Sequence, residues 1–240
     1  MKLTIDADPP FEFECEDTIA SAWVSKGILE DQTYPVLPFV DDVRIVVDAG
    51  GNCGATAVHF ARHYPEAEIH TIEPGSLQRS ILERNAAAYP NITIHPIALA
   101  DDDGELPIYQ GAEDSGMTSL TPSEWTADDH EMVSVRHAGR WAADTGLARI
   151  DILKLDVEGF EAAVLASLTA LLPTIKVLYV EYDSRDDRRR IDHTLEATHD
   201  LYAGKVFLDQ GEVVYLAKAI ADDPAATNHL RSLFDPGQRA

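Results

Sequence analysis

The stretch that most limits what this chain can fold into is VVDAGGNCGATAVHFA, residues 46–61. An apolar, β-branched run (43–49) gives way to glycines at 50, 51 and 54 and then to an alanine-rich segment. The first favours a buried strand, the second a tight turn with close backbone approach, the third a helix. A strand–turn–helix of this kind opens a parallel α/β sheet. The free N–H groups at the start of its helix favour the acceptor groups of a ligand.

The same alternation continues along the chain. AEIHTIEP reads as a strand ending at Glu73-Pro74, SLQRSILERNAAAY (76–89) as a helix with Ser76 as N-cap, and NITIHPIALA as a third strand. Further on, IDILKLDVEG (150–159) is a strand, FEAAVLASLTALL a helix, KVLYVEYD a strand and DDRRRIDHTLEATHDL a helix. KVFLDQGEVVYLAKA closes the series as a hairpin turning near Asp209-Gln210-Gly211. The pattern predicts one α/β domain over 1–240. It has a helical cap segment at 1–40, a core at 41–220 with an insert at about 104–145, and a tail at 221–240 ending in a short helix. In the cap, TIASAWVSKGILE (18–30) places Ile19, Trp23 and Ile28 on one helical face, with Asp17 or Thr18 as N-cap and Trp23 as core or lid. Residues 110–131 are polar and turn-rich and read as a long functional loop acting as a lid, with Trp125 either lining the acceptor pocket or pinning the loop.

Composition narrows the partners. With 42 acidic against 19 basic residues the formal charge is −23, which opposes a phosphate backbone and excludes nucleic acid as the expected partner. Asp exceeds Glu and Arg exceeds Lys by about two to one, a surface that suits a salty cytosol through self-repulsion. No run is long and apolar enough for a membrane span, and the acidic start MKLTIDADPPFEFECED lacks the apolar core of a secretory signal. Cys15 and Cys53 lie far apart in sequence and form no zinc spacing; the expectation is a reduced, cytoplasmic protein. Oligomeric state is not legible.

The loop chemistry is more specific. A dinucleotide fingerprint needs Gly at i, i+2 and i+5, and those positions hold Gly50, Asn52 and Ala55. One match of three argues against a nicotinamide-linked oxidoreductase, and no Lys-Ser/Thr follows to make a phosphate loop. Asp48 at the strand end would repel phosphate and welcome an ammonium, whose carboxylate partner reaches the N–H groups near Gly54 and Ala55. Glu73, ending the next strand, can accept both hydroxyls of a ribose. Ribose plus an amino-acid moiety without phosphate describes S-adenosylmethionine.

Several segments together resemble the FkbM family of S-adenosylmethionine-dependent methyltransferases. VVDAGGNCG is similar to that family's first-strand motif, and IEP followed by LERN to its second strand and helix. PIALADDDGELPIY, GMTSL and IDILKLDVEGFEAAVLASL match further family segments in order, the last carrying the distinctive Lys-x-Asp-x-Glu-Gly-x-Glu run. Gly51 and Cys53 stand where Ala and Ile are more usual, and Gly75 where a further polar residue or Pro is common. The resemblance covers residues 43 to about 183. It implies a Rossmann-like class I methyltransferase fold: α/β, a seven-stranded mostly parallel sheet with helices on both faces and an antiparallel last strand. It also implies O-methylation of a hydroxyl on a small molecule, sugar or lipid. Asp48, Gly50, Gly51, Asn52, Gly54, Ala55, Glu73, Pro74, Ala98, Leu99, Ser119 and Asp156 are the expected cofactor-binding positions.

KLDVEGFE places a second acidic group at the C-terminal end of a central strand, where ligands of open α/β sheets bind. If the strand continues through it, Asp156 and Glu158 share a face with Lys154. Asp156 or Glu158 is the candidate base for an acceptor hydroxyl, with Glu181 behind them and His130 or His137 as alternatives. Glu161 complements its helix dipole. Asp156, Glu158, Glu181 and Asp183 together could instead hold Mg²⁺ or Ca²⁺ through oxygen ligands. His59 and His63, four apart on the first helix, read as solvent-facing. A non-catalytic module that keeps the cofactor fold is the competing reading.

Overall fold

The computed structural model describes the backbone of residues 1–111, 118–119 and 126–234, and the side chains of these except 110–129 and 234. A short antiparallel hairpin, β1 (Lys2–Ile5) and β2 (Phe11–Glu14), precedes α1 (Ile19–Leu29). The hairpin was not expected, although F-E-F-E alternates in the manner of a half-buried strand and Phe13 is buried. The Thr18 hydroxyl caps α1 by accepting from Ser21 N at 3.0 Å. Ile28 is buried as expected, but Ile19 and Trp23 are 91% and 76% exposed. The buried stripe instead runs through Ser25, Ile28 and Leu29, because α1 packs on the next helix along its far end.

The core follows as β3 (Ile45–Ala49), α2 (Ala55–His63), β4 (Glu68–Ile72), α3 (Ser76–Ala86) and β5 (Ile92–His95). Next come β6 (Ala98–Ala100), β7 (Gly104–Gly111), β8 (Thr118–Ser119), β9 (Thr126–His137) and α4 (Ala138–Asp144). The chain then runs through β10 (Ile152–Leu155), α5 (Glu161–Ser167), a 3₁₀ turn at Leu172–Thr174, β11 (Val177–Tyr182), α6 (Arg185–Leu195), β12 (His199–Val206), β13 (Gly211–Ala217), α7 (Lys218–Ala221) and α8 (Pro224–Phe234). The main sheet has seven strands in the order β12-β13-β11-β10-β3-β4-β5, with β13 antiparallel to both its neighbours. This is the expected mostly parallel sheet. Its strand order reverses between β3 and β10, which leaves a crevice beyond their C-terminal ends.

Alternate residues of the buried strands supply the two faces. Val46, Ile69, Ile152, Val177, Tyr179 and Leu216 pack against α2 and the N-terminal segment. Val47, Ile72, Leu153, Leu155, Leu178 and Val180 pack against α4, α5 and their neighbours. Each fully buried aliphatic side chain contributes about 1.5–3 kcal/mol, so the two faces hold the sheet edge rigid beneath the crevice.

Four boundaries differ from expectation. The third strand splits at Pro96, which has no N–H to give to a ladder; β5 stays in the main sheet, whereas β6 joins a second sheet in the order β6-β9-β7-β8. Strand backbone reaches Gly111, recurs in β8 and resumes at Thr126, so the predicted loop is shorter than 110–131; residues 112–117 and 120–125 of the expected lid, Trp125 among them, lie outside the described residues. α6 stops at Leu195 and residues 199–206 are strand, drawn in by His199, whose ring is buried against Ile175 O at 2.9 Å. β10 ends at Leu155, so Asp156 and Glu158 are not strand residues. The tail does form helices, and Ala226 of α8 is buried.

Candidate active site

β3 delivers its last residues to the switch point. The Gly50 and Gly51 amides donate to Ile72 O at 3.0 and 2.9 Å, tying the turn to β4. Gly50 sits at φ +85°, and a Cβ there would fall on the Asp156 carbonyl oxygen. Only glycine lets β3 and the loop after β10 meet so closely. Asn52 is exposed at φ +46°, Gly54 is the N-cap of α2, and Ala55 is buried in its first turn.

Glu73 lies just past β4 and is buried. Its Oε2 accepts from Asn52 N and its Oε1 from Gly75 N, both at 2.7 Å. The carboxylate thus staples the glycine loop to the turn after β4, and each oxygen keeps a second lone pair. Burial pushes its pKa up to about 7, against the pull of those two amides. Pro74 is half-buried and its carbonyl accepts from Arg79 at 2.6 Å. Gly75, not Ser76, is the N-cap of α3; the Ser76 hydroxyl and amide both turn to the Glu131 carboxylate of β9, at 2.8 and 3.1 Å. That contact leans the second sheet against the crevice.

Beneath the loop is a buried charge cluster. Asp48 is fully buried; one oxygen accepts from Thr71 at 3.0 Å, and the other faces the Lys154 ammonium at 3.6 Å. Burial holds its carboxyl above the usual range. Asp48 therefore meets protein groups rather than open space. Lys154, also buried, donates to Gly50 O at 2.6 Å and lies 3.3 Å from the Asp156 carboxylate.

Asp156 is half-buried at the mouth. Burial, then the charge of the neighbouring Asp156, push the Glu181 carboxyl up to about 9. Glu158 is brought near Asp156 by a left-handed turn at φ +57°, not by strand alternation. Its outer side faces solvent, while enclosure of its inner side and then Asp156 and Asp183 push it up to about 8. Burial and Asp156 raise Asp183 as well. Glu161 folds back to accept from Val157 N at 2.7 Å and Gly159 N at 3.1 Å, so it shapes the acidic loop in addition to standing in the first turn of α5. Among the described residues no group of three or more His, Cys, Asp or Glu side chains is disposed to hold a metal ion.

Other expected positions are distributed differently. Ala98 and Leu99 are buried in β6, Leu99 in the core under α4. Ser119 pairs with Tyr109 through its backbone, and its side chain lies outside those described. His137 is the N-cap of α4, its Nδ1 accepting from Arg140 N at 3.2 Å. His130 is exposed on β9 with its ring 5.6 Å from that of Tyr109. His59, expected to face solvent, is buried, because the N-terminal segment covers α2; its Nε2 donates to Tyr34 O at 3.2 Å.

That segment supplies a residue that sequence reasoning missed. Tyr34 is buried with its ring centroid 5.7 Å from Lys154 Nζ and edge-on to Tyr179 at 5.6 Å. Burial, then the charges of Asp156, Glu181, Glu212 and Asp48, hold its phenol well above the usual range. The only local signal was a Tyr-Pro pair after a helix, which reads as a terminator.

Comparison with known proteins agrees with this architecture. The methyltransferase FkbM domain matches residues 48–209. Methyltransferase 1 of Beauveria bassiana is 28% identical over 186 residues, spanning 69% of this chain and 72% of that protein. The 2-O-methyltransferase NoeI of Sinorhizobium fredii is 22% identical over 156 residues, 59% of this chain and 64% of that one. The fibrillarin pre-rRNA processing protein of Methanococcus jannaschii superposes with a TM-score of 0.50 at 13% identity, over 90% of this chain and 83% of that structure, a likeness of fold. No helix among the described residues is long and apolar enough to cross a membrane. The fold is that of the Rossmann-like class I methyltransferases, and the chain belongs to the FkbM family of methyltransferases.

Proposed function

We propose that this methyltransferase uses S-adenosylmethionine and transfers the methyl group to a hydroxyl oxygen of a small molecule, sugar or lipid. The observation that carries the reading is the meeting, at the switch-point crevice, of a Glu73-stapled glycine loop with Asp156, whose carboxylate is paired with Lys154. The donor set fits the cofactor. Glu73 keeps lone pairs for two ribose hydroxyls, and the N-terminus of α2 offers amides to a carboxylate. Gly50, Gly51, Asn52, Gly54, Ala55 and Pro74 would line that side, with Ala98, Leu99 and Ser119 toward the base. Asp48 would act from below, through Lys154. When bound, the cofactor supplies an already activated sulfonium methyl.

The protein's task is then positioning and proton removal. Asp156 faces the open side of the crevice and would accept the hydroxyl proton as the oxygen attacks. Glu181 would donate a hydrogen bond to Asp156 and hold it in place. Glu158 and Asp183 would surround the acceptor's polar groups, and His130 or His137 would serve only if the second sheet moves. We read this base as working without a metal. We read the N-terminal segment as part of the same catalytic unit, since Tyr34 reaches the site. The charge of −23 favours a neutral or cationic acceptor over nucleic acid, and a cytoplasmic setting suits the two free cysteines.

Calorimetry with S-adenosylmethionine tests the cofactor half. The parent should bind, and Glu73→Ala should lose on the order of 1.5–3 kcal/mol for each charge-assisted bond removed. Equal affinity in the variant would refute the ribose assignment. With an acceptor found by screening hydroxyl compounds, Asp156→Asn should keep cofactor affinity within a few-fold and lose roughly 10²–10⁴ in turnover. EDTA should leave the parent's activity intact; loss restored by Mg²⁺ would replace the lone base with a metal.

A further inference from the structure

Lys154 is the one charged residue of the four-residue strand β10, and it is 2% exposed. A leucine would fill such a place without the cost of desolvating a charge, and buried ion pairs seldom repay that cost in stability. The contacts of its ammonium suggest what it does instead. Gly50 O lies at 2.6 Å and Ala49 O at 3.3 Å, so Lys154 grips the end of β3 from below. The Asp156 carboxylate lies at 3.3 Å and Asp48 at 3.6 Å. The Gly50–Gly51 turn is thereby fixed on both sides, its amides by Ile72 O and its carbonyl by Lys154. The same ammonium is ion-paired with the carboxylate read above as the acceptor-side base.

The roof over this ammonium comes from outside the family match, which begins at residue 48. Tyr34 holds φ +57°, an uncommon conformation for a bulky residue. Three contacts fix its neighbourhood: His59 Nε2 to Tyr34 O at 3.2 Å, the Tyr179 hydroxyl to Pro35 O at 2.6 Å, and Val36 N to the Asp31 carboxylate at 3.0 Å. Strain of this kind persists only where surrounding structure enforces it. What it achieves here is an aromatic ring 5.7 Å from Lys154 Nζ, covering the buried ammonium.

We propose that Lys154 is a positioning residue that joins the glycine turn to the Asp156 carboxylate as one rigid unit, with Tyr34 of the N-terminal segment as its roof. The proposal rests on the crevice being the cofactor site, and the test separates the two. S-adenosylhomocysteine is titrated first into the parent protein, and failure to bind there refutes the cofactor reading itself. With binding established, Lys154→Met should lower the melting temperature, because Asp48 is left buried without its counter-charge. Adding Asp48→Asn should restore most of the melting temperature. Both variants should still bind S-adenosylhomocysteine about tenfold or more weakly, since Gly50 O has lost its donor. A double variant that binds like the parent would overturn the proposal and reduce Lys154 to a charge filler. If neither variant folds, Tyr34→Leu decides. It should expose Lys154 to an amine-acylating reagent, read by mass spectrometry, and weaken binding several-fold. Unchanged protection together with unchanged affinity would overturn the role of both residues.

Discussion

Gly50→Ala isolates the tightest glycine contact among the described residues. Two penalties apply. Gly50 sits at φ +85°, where an L-residue pays about 1–2 kcal/mol. Its new Cβ would also fall on the Asp156 carbonyl oxygen, with the Asp156 carbonyl carbon at 3.0 Å and Lys154 Nζ at 3.3 Å. The two carbonyl atoms are backbone immediately after a central strand and cannot rotate away freely; relief requires the turn after β3 and the loop after β10 to part. Overpacking of that kind costs about 1–3 kcal/mol, giving a total on the order of 2–5 kcal/mol. Gly159→Ala is the control, since Gly159 has φ +97° but open space where a Cβ would go. It should cost only the first penalty. Urea denaturation of both variants gives the difference directly, and titration with S-adenosylhomocysteine reports whether the crevice has opened. If Gly50→Ala proves no less stable than Gly159→Ala and binds equally well, the close approach of the two loops is wrong.

Glu181 is held protonated in the fold, near pKa 9 against an ordinary 4.5, so its contribution to stability is complete below about pH 4.5 and is lost as pH rises toward 9. Glu181→Gln should therefore flatten the alkaline loss of stability by on the order of 1–2 kcal/mol, a deliberately low figure because the crevice side is solvated; an unchanged pH profile by thermal melting would refute this. Asp151 behaves in the opposite sense. Burial pushes its carboxyl up, but Arg149, the Arg44 and Ile45 amides and Lys176 outweigh it and leave it depressed, so its contribution is present at neutral pH and lost on acidification. Asp151→Asn should cost about 3–5 kcal/mol at neutral pH and progressively less as the pH is lowered, as read by denaturation across an acid series. The acidic surface predicts a melting temperature that rises with KCl; indifference to salt would show that self-repulsion is not limiting.

The alternation of apolar runs with helical segments was enough to predict the parallel sheet, because burying both faces of a strand leaves a continuous β-branched signature such as Val43–Ala49. The position of the glycine loop and Glu73 at the strand ends was legible for a related reason: turn and terminator residues mark where each strand stops, and the parallel topology puts those ends at one edge. Asp156 and Glu158 were found together for a reason the sequence did not contain, a left-handed turn at Glu158 rather than strand alternation. His59 was misread because the periodicity of α2 cannot tell that residues 31–40 will cover its outer face. Lys154 and Tyr34 lie furthest from local reading. Whether a lysine in a strand meets water or Gly50 O, Asp48 and Asp156 depends on which strand becomes its neighbour. Whether a tyrosine after a helix ends in solvent or over that lysine depends on 120 residues of intervening chain returning to the same place. Residue type and spacing determine the elements and the edge at which they end; which charges share that edge is decided only when non-local strands pair.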